Sequence, residues 1–139
     1  MSERSEESRK RSGGSLFLYS LRVLHLPTQN DLRIELQSIG TEPQLLRDQL
    51  DKGTFRIVKL ERVPARLARF LYQELVLEGG EVALPARMDD RATETNVLLL
   101  GTQYQLRHLV IRLRTQSDDE VLALADDLEH ALTETDADG

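Results

Sequence analysis

Between Leu16 and Leu132 the spacing of apolar residues switches repeatedly between two periods. Four runs are strand-like: LFLYSLRVLHL (Leu16–Leu26), TFRIVKL (Thr54–Leu60), EVALPAR (Glu81–Arg87) and ATETNVLLLG (Ala92–Gly101). Between and after them, apolar residues recur every three or four positions, the spacing that gives a helix one apolar stripe. A chain with both periods points to helices laid on a sheet.

Local signals place the ends of these elements. Pro27 stops the first run, and Thr28 with Asp31 three residues on has the spacing of a capped helix start, with a stripe of Leu32, Leu36 and Ile39 before Gly40. A shorter helix follows from Thr41 to Gly53. Pro64 suits the first turn of a helix running to about Glu78, which buries Leu67, Phe70, Leu71 and Leu75 and is closed by Gly79. Pro85 demotes the EVALPAR strand to an edge or a bulge, and a polar loop around Met88–Arg91 joins it to the next strand. Thr102 and Gln105 have capping-box spacing before a stripe of Leu106, Leu109, Val110 and Leu113. Ser117 and Glu120 open the last helix, with Val121, Leu124, Ala125, Leu128 and Leu132 inside.

The expected fold class is α/β (α+β): a two-layer sandwich with a small mixed sheet of about four strands and helices mainly on one face. Residues 16–133 are expected to form one domain. The Ser-, Gly- and charge-rich stretch 1–15 and the acidic end 134–139 read as disordered tails, because they have too little apolar surface to offset the entropy of ordering.

Composition narrows function by exclusion. The 139 residues include 24 acidic and 18 basic side chains, a net charge of −6, which argues against non-specific nucleic-acid binding. Without cysteine there is no thiolate nucleophile and no thiolate zinc site. No apolar run approaches the roughly 20 residues that span a bilayer, and no signal-peptide core follows the charged N-terminus, so a cytoplasmic, soluble chain is expected.

Few residues suggest chemistry. Gly79-Gly80 follows a helix, where a phosphate loop would precede one, so a turn is the expected role. Gly101-Thr102 leads from a strand into a helix, the geometry in which free N–H groups can hold an anion, although Thr102 capping its own helix accounts for it as well. Arg62, Arg66, Arg69 and Gln73 recur at helical spacing and form either a docking stripe for a phosphate or acidic partner, or a solvated outer face. Arg107, Arg112 and Arg114 would join that surface only if the two helices pack side by side. The pairs Asp89-Asp90, Asp118-Asp119 and Asp126-Asp127 lack companions at metal-ligand spacing and read as solvated charge, and His25 and His108 are isolated.

Several separated motifs together carry a resemblance. KLERVPARLARFLYQELVLEGGEVALP (Lys59–Pro85), TETNVLLLGTQYQLRHLVIRLRTQ (Thr93–Gln116) and IGTEPQLL (Ile39–Leu46) resemble the N-terminal accessory region that precedes the catalytic barrel in a subset of bacterial dihydropteroate synthases. One departure is Arg62, where that region more often has glycine. The barrel and its pterin- and phosphate-binding motifs have no counterpart here, so the resemblance carries over no catalytic residue, cofactor or metal. It implies a stand-alone, non-catalytic domain acting as a protein-interaction or oligomerisation module, with a separately encoded folate enzyme or a second copy of itself as partner. The alternative is a regulatory domain binding a pterin, folate or nucleotide phosphate at Gly101-Thr102. Dihydropteroate synthase activity itself ranks last, on length.

Overall fold

The computed structural model describes residues 18–87 and 94–138, with side chains as far as 134. The expected N-terminal tail, the loop around Met88–Arg91 and the Asp89-Asp90 pair lie outside the described residues. Within them the order is α1 (Gln29–Ile39), α2 (Pro43–Gly53), β1 (Phe55–Pro64), α3 (Ala65–Leu77), β2 (Glu81–Ala83), β3 (Glu94–Thr102), α4 (Gln103–Leu113) and α5 (Asp119–Asp138). The α/β class and its helical layer are as expected. The sheet differs in having three strands, in the order β1-β3-β2, with both pairings antiparallel.

The missing strand is the first one. From Leu18 to Pro27 no residue is in a helix or a strand, and none is buried. Apolar content there satisfies the sequence criterion for a buried strand, but a strand needs a partner as well as a propensity.

Helix ends follow the chain's own signals. Thr28 and Asp31 form a reciprocal capping box, with Asp31 N donating to Thr28 Oγ1 at 3.1 Å and Thr28 N to Asp31 Oδ2 at 3.1 Å. Thr102 and Gln105 repeat the arrangement at the start of α4. The helix α3 closes as a Schellman turn, in which Gly79 takes φ 92°, its N–H reaches Val76 O, and Gly80 N–H reaches Leu75 O, both at 3.0 Å. The start of α5 corrects the expected cap: Asp118, not Ser117, accepts from Glu120 N at 2.9 Å. The carboxylate is the stronger acceptor for a helix N-terminus. At its other end α5 continues to Asp138, so the stretch expected as an acidic tail is helical that far, beginning with Thr133 Oγ1 bonded to Glu129 O.

Alternation along β1 and β3 divides the sheet into two unlike faces. Val58 and Leu60 of β1, Val97 and Leu99 of β3 and Val82 of β2 face the helices, and Val58 is in register with Leu99 and Leu60 with Val97. Against them pack Leu67, Leu71 and Leu75 of α3, Leu106, Leu109 and Leu113 of α4, and Val121, Ala125, Leu128 and Leu132 of α5. A fully buried leucine contributes about 1.5–3 kcal/mol, so this layer is the main source of stability. The helix α1 is peripheral. Its expected stripe is incomplete, because Ile39 is exposed.

A bulge interrupts β1 between Leu60 and Val63. Arg62 sits in it at φ 56°, the one non-glycine residue with positive φ among those described, and its N–H donates to Asn96 Oδ1 at 3.0 Å. Because β1 continues through Pro64, Arg62 belongs to the strand and not to the helix whose spacing it shares.

Candidate functional site

The most enclosed polar group lies where α2, β1 and α4 meet. Gln103, fully buried at the first position of α4, donates through Nε2 to Asp51 Oδ1 at 3.1 Å and accepts from Arg56 Nε at 3.1 Å. Its own N–H reaches Thr54 O at 2.7 Å, and Arg107 Nε lies 3.4 Å from the second oxygen of Asp51. Thr54 Oγ1 donates to Leu50 O and receives Gln29 Nε2, which extends the network to α1. Every partner named here belongs to the chain, and the arrangement locks four elements together.

The residues singled out from the sequence do not come together as one site. Arg66 spans from α3 to the start of α5, with Asp118 at 3.1 Å and Glu120 at 3.3 Å, while Arg69 and Gln73 lie exposed further along α3. Arg62, at the bulge, is 3.9 Å from Glu61. The cations at the end of α4 also face acids of their own chain: Arg112 meets Glu78 at 2.5 Å and Glu74 at 3.6 Å, and Arg114, the C-cap, pairs with Asp126 and Glu129. The helices α3 and α4 are neighbours, but their contact is a seam of ion pairs and not a shared basic face.

At Gly101-Thr102 the helix start is occupied from within. Thr102 N donates to Gln105 Oε1 at 2.9 Å, Gln105 N to Thr102 Oγ1 at 3.1 Å, and Gln103 N to Thr54 O. A side chain on Gly101 would meet Gln105 Oε1 at 3.0 Å, so the glycine makes room for the cap.

Two ionisable groups are displaced by their surroundings. The Asp118 carboxyl is held below its ordinary value by the Glu120 backbone N–H first and by Arg66 second. The Arg112 guanidinium is pushed further up by its hydrogen bond to Glu78. Both shifts arise from contacts within the chain at helix ends, a backbone N–H ahead of an ion pair for Asp118 and an ion pair for Arg112. Among the described residues no group of three or more histidine or acidic side chains is placed to hold a metal ion, and no helix is long and apolar enough to cross a membrane.

What sequence reasoning missed is the sheet face turned away from the helices. Phe55 is 59% exposed and Ile57 62%, and Leu98 and Leu100 stand beside them on β3, in register with Lys59 and Ile57. Strand β1 is also a sheet edge, and a groove runs between Phe55–Val58 and Ala131-Leu132 of α5. The alternation of Phe55 and Ile57 against Val58 and Leu60 carries the signal, but it does not say which of the two sets is buried.

No family model matches the chain, and no curated protein or solved structure is similar to it at a significant level.

Proposed function

We infer that this chain is a non-catalytic binding domain, related to the accessory region of dihydropteroate synthases, which works by associating with a protein partner or with itself. The observation that carries the reading is the apolar sheet face of Phe55, Ile57, Leu98 and Leu100, contiguous with a strand edge that has no paired neighbour among the described residues. Apolar surface continuous with a free edge is what a protein interface uses, and it costs free energy when left in water. The arginines serve less well as a docking surface, since Arg66 of the helical stripe and Arg112 and Arg114 on the neighbouring helix already have acidic partners in the chain. The rival reading, an anion at Gly101-Thr102, loses the free donors on which it depended.

Sedimentation velocity on the chain alone and mixed with a purified dihydropteroate synthase tests the reading. We expect a concentration-dependent rise in mass in at least one of the two, abolished in an Ile57→Lys, Leu98→Lys variant that keeps its circular dichroism spectrum. A chain that stays monomeric in both experiments overturns the reading.

A further inference from the structure

The exposed apolar segment Leu18–Leu26 and the exposed apolar edge of β1 have the properties of a strand and its acceptor. We propose that Leu18–Leu26 of one copy adds as a fourth, antiparallel strand to β1 of a second copy, and that the exchange is reciprocal. The proposal rests on the interaction reading above and specifies its partner and its surface.

The segment is of the right kind and the right length. Leu18 is 94% exposed, and Leu21, Val23, Leu24 and Leu26 are each more than a third exposed. Nine residues in extended form span about 30 Å, against ten residues in β1. Each face of the segment carries apolar residues, Leu18, Leu24 and Leu26 with Ser20 and Arg22 on one, Leu21 and Val23 with His25 on the other. With Leu26 set against Phe55, beside which it lies, Leu24 and Leu26 would continue the row of Phe55 and Ile57, and Leu21 and Val23 the helix-side row of Val58 and Leu60.

The acceptor is open where the segment would lie. The devices that blunt a sheet edge, a bulge and a proline, sit at Glu61–Pro64, whereas Phe55–Leu60 carries neither. The groove between this edge and Ala131-Leu132 gives the added strand a second wall.

The attachment of the segment favours a second copy over its own edge. Leu26 and Pro27 border the same groove as Thr54 and Phe55, so the segment joins the body beside the start of β1, yet it is in no strand there. Turning it back onto β1 needs a flexible hinge. Instead Pro27 holds Leu26 extended and Thr28 is fixed as the cap of α1, and no glycine lies between Leu16 and Ile39. A stiff connection to a strand that its own edge does not receive is the condition under which identical chains exchange elements. One donor and one acceptor per chain are consumed by a two-fold dimer, so the reciprocal exchange closes on itself.

The chain has no cysteine, so every disulfide in a Leu24→Cys, Ile57→Cys double variant joins introduced thiols. On mild oxidation we expect a covalent dimer of twice 15.8 kDa, and a covalent dimer on mixing the two single variants, neither of which forms one alone. A disulfide closed within one chain, or none, overturns the exchange. Separately, a Leu21→Asp, Val23→Asp variant should raise the dimer dissociation constant at least tenfold by light scattering. If the chain self-associates through Ile57 but this variant changes nothing, strand exchange falls and the interaction reading stands. If the chain neither self-associates nor binds the synthase, both fall.

Discussion

Gln103 and Asp51, from different helices, meet in a buried contact, amide nitrogen to carboxylate oxygen at 3.1 Å. Replacing Gln103 with Leu removes the donor to Asp51 and the acceptor of Arg56 together. Leaving buried polar groups unsatisfied costs about 1–3 kcal/mol, so Gln103→Leu should lose that much in urea unfolding although it adds apolar bulk.

The Gly79-Gly80 turn should tolerate no side chain, for a different reason at each position. Gly79→Ala places a β-carbon at φ 92°, at a cost of about 1–2 kcal/mol. At Gly80 the β-carbon would lie 2.8 Å from the Leu75 side chain and 3.0 Å from Leu100 O, and overpacking of this kind costs about 1–3 kcal/mol. Thermal melts of both variants, and of the pair, measure these losses.

Arg62 at φ 56° offers a substitution of opposite sign. Arg62→Gly removes left-handed strain of about 1 kcal/mol and loses part of that gain to the freer unfolded chain, leaving stability unchanged or slightly higher. Arg62→Val, β-branched in the same conformation, should lose about 1–2 kcal/mol. Chemical denaturation of the two variants side by side reads the difference.

Asp118 makes stability depend on acid. Its folded-state carboxyl titrates below the ordinary 3.8, so the charged form is favoured by folding. The resulting stability is present above that ordinary value and is lost as the pH falls through the lower, folded one. Asp118→Asn should therefore melt earlier than the parent at neutral pH, and the two should converge in acid. Melting curves recorded from pH 7 down to pH 2 check the convergence.

In the core, Leu99 on the middle strand is fully buried against three helices' side chains. Leu99→Ala should cost about 2–5 kcal/mol, the upper part of the range applying if the sheet cannot collapse into the cavity. Calorimetry gives the number.

Elements with local causes were legible in the sequence. Thr28 with Asp31, Thr102 with Gln105, and Gly79 after Leu75 each act within one turn of backbone, so spacing alone identifies them. The first strand was misjudged because LFLYSLRVLHL carries propensity but not pairing, which depends on an edge far along the chain. Arg62 was placed on a helix because its spacing from Arg66 is helical, and only the bulge reveals that the strand lasts until Pro64. The arginines at 66, 112 and 114 looked available because their acidic partners at 118, 78 and 126 lie 12 to 52 residues away. Orientation of Phe55 and Ile57 was undecidable by alternation, since Val58 and Leu60 are equally apolar.

The strand order has a consequence for how the chain is made. β1 and β2 each pair with β3 and not with one another, and β3 is the last of the three to be synthesised. Until Thr102 has cleared the ribosome, a nascent chain holds two strands that do not pair with each other, and the helix α3 that packs on the finished sheet has no sheet to cover. The whole sheet then assembles around its final member in one step. During that interval Phe55–Leu60 has two open sides instead of one, which makes it the period of greatest exposure to wrong partners.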